Sequence, residues 1–204
     1  MPIFSHRIGP PEETTWKCKN VTRESKPPFF KKKGTDPIAI LKEIASKDFV
    51  SIHGPEHHFL DGAAFLTALH NAGMAFDLNA ALDALAERSI KMPGAMCGHW
   101  GVCGSVASLG AAFSLLEGTG PLSKDEAYAD HLDFTSDCLK KMARIGGPRC
   151  CKRNAFLVLE EAIAHANSRF GVELSIKGPI VCDYFSRDPD CKRNGCPYFP
   201  KRLK

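Results

Sequence analysis

VCGSVASLGAAFSLL, residues 102–116, is the most apolar stretch of the chain and decides its architecture. It is too short to span a bilayer and is full of small residues, which predicts a buried core helix. Gly104, Ser108 and Ala112 recur every four residues, with Ala107 and Ala111 beside them. Small side chains at that spacing let neighbouring helices approach closely, so this segment is expected at the centre of a bundle, ending at Glu117–Gly118.

Helices are predicted on either side of it. In TDPIAILKEIASK, Asp36 suits a cap, Pro37 the first helical position, and Ile40, Leu41 and Ile44 share a face. HGPEHHFLDGAAFLTALHNAG opens after Pro55 and stops at Asn71–Gly73. A third helix follows near 77–90, with Leu78, Leu82 and Leu85 on its apolar side. PLSKDEAYADHL offers a capping box, Ser123 with Glu126, opening a helix that runs to about Arg144. IGGP breaks it, and a last helix is expected over 150–169, stopped by Gly171. VELSI alternates and reads as a short strand. The fold class is all-α: a compact helical bundle around a central small-residue helix, with a Cys-rich C-terminal strap. Residues 1–34, with five prolines and a KKK run, read as an extended basic arm. Residues 35–181 form the helical domain, and 182–204 a metal-binding strap packed on it.

The chain has 204 residues, 44% of them hydrophobic and 25% charged, ordinary values for a folded domain. No segment joins a basic start to an apolar run and a small-residue cleavage site, which predicts a cytoplasmic protein without a membrane span. The net charge of +4 is uneven: residues 1–34 carry eight Lys/Arg against three acids, and 182–204 carry six against three. Basic ends on an acidic core suit an acidic partner or RNA. No RNA-binding signature accompanies them, so solvated tails are the expectation.

Nine cysteines carry the chemistry. Their count is odd and two are adjacent, which argues against a disulfide framework and for metal or redox use in a reducing compartment. Cys182-x8-Cys191-x4-Cys196-Pro197 places three soft ligands in one short loop. Structural zinc favours paired C-x2–4-C knuckles, which are absent; the wider spacing leans towards an iron–sulfur cluster, of the 4Fe-4S kind, with zinc the alternative. A fourth ligand comes from GGPRCCKRN, where a helix N-terminus and Arg149, Lys152 and Arg153 favour a thiolate. One thiol of the pair completes the site while its neighbour points elsewhere. We assign Cys151 as ligand and Cys150 as the reactive thiol, the reverse remaining open. Cys97 and Cys103, in CGHWGVC, form a second pair, with Gly98 and Gly101 letting backbone approach a bound group. Cys138 reads as a packed helix residue, and Cys18 has no partner in sequence. HGPEHH spaces His53 and His57 four apart, but Gly54 and Pro55 interrupt the continuous helix that a zinc protease needs. His57 and His58 then lie in a first turn, where they are expected to meet a substrate or donate a proton.

The stretches around HGPEHH, MPGAMCGHWGVCG, IGGPRCCKRN and VCDYFSRDPDCKRNGCPYF, in that order, resemble family 5714 of the domains of unknown function, found mainly in anaerobic bacteria and methanogenic archaea. The resemblance covers roughly residues 35–200. It implies that Cys97, Cys103, Cys150, Cys151, Cys182, Cys191, Cys196 and His53–His58 belong to the family pattern. Relatives often begin with C-x2-C knuckles; this chain has only Cys18 there, so no N-terminal zinc site is carried over. CGSVASLGAAFSLLEG and the later Cys-opened helix bear a fainter similarity to the C-GCAxxG-C-C redox family.

These readings together predict an iron–sulfur protein of anaerobic metabolism. Spare thiolates beside the cluster would serve electron or sulfur transfer, with Arg149 placing an anionic substrate. A redox or sulfur-donor partner follows from that, and a homo-oligomer is compatible with it. The alternative is a non-catalytic zinc- or cluster-stabilised module that docks on a protein or RNA through its basic ends. A zinc hydrolase using His53 or His57 is a third reading. With no nucleotide loop or dinucleotide fingerprint, neither ATP nor nicotinamide is expected.

Overall fold

The computed structural model describes residues 33–200, so most of the N-terminal arm, with Cys18, and the last four residues lie outside the described part. Seven α-helices follow in order: α1 Pro37–Ala45, α2 His57–Asn71, α3 Leu78–Ser89, α4 Met96–His99, α5 Gly104–Glu117, α6 Glu126–Ile145 and α7 Cys151–Phe170. Among the described residues there is no strand, and the fold is all-α.

Local chemistry sets the boundaries. Asp36 caps α1 by accepting from the amides of Ile38 (2.9 Å) and Ala39 (3.0 Å), and Pro37 needs no donor there. Asp77 caps α3 through the Ala80 amide, 3.0 Å away. Gly118 and Gly171 end α5 and α7 in the left-handed conformation that glycine adopts without strain. The capping box expected at Ser123 does not form. The Ser123 hydroxyl instead accepts from the Gly120 amide at 2.9 Å, and α6 starts from Asp125 without a side-chain cap bond.

α5 lies at the centre, against α2, α3, α6 and α7. α2 is buried along His57–Leu69, whereas α6 buries only Ala127, Phe134 and Cys138 and forms an outer wall. Phe113 on α5 anchors the core, its ring 5.0 Å from Phe65 and 4.8 Å from Phe134. The small residues of α5 serve the close approach expected of them. Gly104 faces the His58 ring and Ser108 faces Gly62, so positions four apart on α5 meet positions four apart on α2. The Gly62 amide donates to Ser108 Oγ at 3.0 Å.

A Cβ on Gly62 would lie 2.9 Å from the Ser108 carbonyl oxygen and 2.9 Å from Leu85 Cδ2. Gly62→Ala gains about 1 kcal/mol of helix propensity, but overpacking against backbone costs about 1–3 kcal/mol. The substitution is therefore expected to destabilise, lowering the urea midpoint with the slope unchanged.

The expected strand at VELSI is absent, for a local reason. Leu174 satisfies its amide and carbonyl on the Asn167 side chain of α7, at 2.9 and 2.8 Å, rather than on a neighbouring strand. Beyond it the strap crosses the helical body with two short 3-10 turns, Phe185–Arg187 and Arg193–Gly195. The Lys177 amide donates to Asp36 Oδ2 at 2.9 Å, and Lys42 Nζ donates to the Val181 carbonyl at 2.9 Å. Tyr184 Oη donates to the Lys42 carbonyl at 3.0 Å. Lys192 Nζ reaches the carbonyls of Ile145 (2.6 Å) and Gly147 (3.1 Å), placing a cation at the C-terminal end of α6. Tyr198 Oη bonds Glu160 on α7. The strap's two arms join through the Cys182 amide and the Tyr198 carbonyl, 2.8 Å apart.

Candidate metal centre

The strap brings Cys182, Cys191 and Cys196 to one pocket at the N-terminus of α7, and the fourth thiol there is Cys150. Cys150 is the N-cap of α7, its Sγ accepting from the Arg153 amide at 3.4 Å. Cys182 Sγ accepts from the Tyr184 amide and Cys191 Sγ from the Arg193 amide, both at 3.4 Å. Backbone N–H groups aimed at sulfur stabilise a thiolate more than a thiol. Burial acts the other way and pushes the thiols of Cys150 and Cys182 up, the N–H groups only partly offsetting it. A bound metal cation reverses that balance, because its charge makes ionisation of each ligating thiol favourable.

Cys151, the expected ligand, points elsewhere. It is the first residue inside the helix, its Sγ 4.0 Å from the Gly54 carbonyl, and burial pushes its thiol up to about 12. Cys150 thus lines the strap pocket, and Cys151 lies behind it against Gly54.

His53 adjoins two residues of that pocket, Cys150 and Asp188. Its Nδ1 accepts from the Cys151 amide at 3.4 Å, leaving Nε2 3.2 Å from Asp188 Oδ1. Ligand atoms of His53, Cys150 and Asp188 all lie within 4.8 Å of one another. With Nδ1 accepting, the neutral ring carries its proton on Nε2, which is buried beside Asp188 without an aligned hydrogen bond; metal binding through Nε2 would require the other tautomer. Among the described residues the one group close enough to share a metal ion is thus His53, Cys150 and Asp188, and the four thiols are joined to it through Cys150 as lining of the same pocket.

His57 and His58 are buried and line neither this pocket nor the groove described below. His57 is held at both nitrogens, Nδ1 2.8 Å from Asp61 Oδ1 and Nε2 2.7 Å from Lys152 Nζ. A carboxylate only accepts and an ammonium only donates, so this histidine is the neutral Nδ1–H tautomer. Lys152, 1% exposed, also donates to the Ser51 carbonyl at 3.0 Å and lies 5.2 Å from the centre of the Tyr184 ring. This buried relay from α2 through α7 to the strap was not foreseen. Its only sequence signal was a lysine directly after the paired cysteines.

His58 is packed under Gly104, and burial lowers its pKa from 6.5 to about 4. Between those values the unfolded chain binds a proton that the folded chain excludes. Stability conferred by neutral His58 is therefore complete above about pH 6.5 and is lost as pH falls towards 4, by about 3 kcal/mol. Urea unfolding at pH 7 and pH 4.5 is expected to show that fall, and His58→Gln to reduce it.

Cys97, Gly98, Gly101, Cys103 and Arg149 do come together, in a groove of about 1430 Å³ between the α4 loop, α6 and the start of α7. Cys103 caps α5 and is buried, which raises its pKa; the Asn154 amide donates to its Sγ at 3.3 Å and opposes that rise. Arg153 lines both the groove and the strap pocket and forms the wall between them. Cys138 is fully buried, its thiol pushed up to about 12.

A profile of the family of unknown function DUF5714 matches residues 27–199, which takes in all four cysteine and histidine motifs. The chain belongs to that family. No curated protein and no solved structure matches it. The DUF5714 match carries the expected resemblance, whereas the likeness to the C-GCAxxG-C-C family finds no support in it. No helix among the described residues is long and apolar enough to cross a membrane.

Proposed function

We propose that this DUF5714 protein is an iron–sulfur protein, its cluster held by Cys150, Cys182, Cys191 and Cys196, and that it serves redox or sulfur-transfer chemistry in the cytoplasm of an anaerobe. The observation that carries the reading is the convergence of four thiols on one pocket, three of them already accepting a backbone N–H. Hydrogen bonds to sulfur are a main means by which proteins set cluster potentials. A cluster of the 4Fe-4S kind supplies one-electron transfer when bound. The protein's own groups exclude water with Tyr184, Phe185 and Phe199, and Lys152 and Arg153 bring positive charge to a thiolate-rich site. In this reading Cys97 and Cys103, in the groove beyond Arg153, are the spare thiols, with Cys97 the more accessible to a redox or sulfur-donor partner.

The reading is tested by reductive titration under argon, following visible absorption and the electron paramagnetic resonance of the reduced state. Broad absorption that bleaches with dithionite and returns on reoxidation supports it; a protein colourless throughout overturns it. A second reading rests on the His53–Cys150–Asp188 grouping, which suits a single zinc ion completed by a strap thiol and acting as a staple for a docking module. It predicts that His53→Ala lowers zinc content, which the four-thiol reading does not.

A further inference from the structure

The groove beyond Arg153 is a second built cavity, and its lining is selective. Its apolar floor comes from α6, with Leu139 and Met142 half-buried along it. Its charged lining is Lys140, Arg149 and Arg153 against the single acid Asp190. Two of the three cations are already engaged. Lys140 pairs with Asp137 at 3.0 Å, and the Arg153 guanidinium donates to the carbonyls of Gly146 (3.2 Å) and Pro148 (2.9 Å) and to Asn154 Oδ1 (3.3 Å). Arg149 is exposed and, among the described residues, has no hydrogen-bond or ion-pair partner. Elsewhere in the lining, Cβ atoms added at Gly98 and Gly101 would meet nothing within 4 Å, so the backbone there borders open space beside Cys97.

We propose that this groove binds an organic carboxylate, its anionic end on Arg149, its apolar body along Leu139 and Met142, and its far end against Cys97. A guanidinium offers two parallel donors that match the two oxygens of a carboxylate. The apolar floor excludes a simple inorganic anion as the intended occupant, because such an ion leaves that surface unused. Cys97 is half-buried and open to the groove, whereas Cys103 is buried and already bonded to Asn154. The inference rests on the proposed function only in treating Cys97 as a thiol that reacts. The cation, the floor and the open backbone are independent of which metal the strap holds.

The probes are iodoacetate and iodoacetamide, equal in size and differing in charge. In each case the Cys97 sulfur displaces iodide from carbon, an S–C bond replaces the C–I bond, iodide leaves and the thiol proton goes to solvent. The anaerobically purified full chain is labelled over a range of reagent concentrations, and modification of Cys97 is read by peptide mass spectrometry. The expected result is a rate that saturates with iodoacetate and rises linearly with iodoacetamide. Arg149→Gln should lower the iodoacetate rate about tenfold, the value of one charge-assisted contact, and leave the iodoacetamide rate nearly unchanged. Gly98→Leu, at a position with negative φ and empty space ahead of it, should remove saturation without lowering the melting temperature. A linear iodoacetate rate, or saturation that survives Arg149→Gln, overturns the proposal. Metal content measured on the same samples separates this outcome from failure of the metal reading.

Discussion

Asp61→Ala is expected to lower the melting temperature by about 10 °C. Asp61 is 0% exposed and accepts from His57 Nδ1, and His57 Nε2 in turn accepts from the buried Lys152 ammonium. Burial lowers the Lys152 pKa, and Asp61 is the largest opposing influence. Removing the carboxylate leaves a buried cation uncompensated, at a cost of about 3–5 kcal/mol. For a domain of this size each kcal/mol moves the midpoint by about 2–4 °C. Replacing both ends of the relay is a different matter, because apolar side chains of similar volume need no solvation. Asp61→Leu with Lys152→Met is expected to lose less than the sum of the two single changes. Thermal unfolding of the four proteins gives the coupling directly. Additive losses would mean that the relay is two unrelated packing contacts.

Cys150→Ser and Cys151→Ser are expected to differ sharply although the residues are adjacent. Cys150 shares its pocket with the three strap thiols, and Cys151 sits against Gly54. Loss of an outer-shell partner alone costs about 10–100-fold in metal affinity, so loss of a ligand should cost at least about 100-fold. Cys150→Ser should therefore be purified with little metal, as should Cys182→Ser, Cys191→Ser and Cys196→Ser. Cys151→Ser should keep its metal, and its folded stability should change little. Equal metal loss from both variants would contradict the placement of the pair.

The bundle was legible because its signals are local. Asp36–Pro37 and the glycines after α5 and α7 mark helix ends by rules that need no tertiary information, and the four-residue spacing of Gly104 and Ser108 anticipated a close helix contact, which α2 makes. The strap's convergence on the start of α7 was legible too, since thiols clustered in polar sequence have few other uses. The choice between Cys150 and Cys151 was not. An N-cap and the first helical residue point in different directions, and a helix start read from sequence is uncertain by more than that one residue. VELSI misled because alternation reports two unlike faces rather than a partner strand, and here the partner is the side chain of Asn167. The burial of the histidines was not legible for a related reason. Glu56, His57 and His58 look like a polar corner, yet His57 answers to Lys152, 95 residues away, and all three are buried. His53, kept in sequence only for a zinc-hydrolase reading, is the histidine that groups with Cys150 and Asp188.

The most direct test of the central claim is the metal itself. The full chain, purified under strict exclusion of oxygen, is analysed for iron, acid-labile sulfide and zinc. The four-thiol reading predicts iron and sulfide in equal amounts, and their loss together in Cys150→Ser. Zinc at one ion per chain, with no labile sulfide, would contradict it.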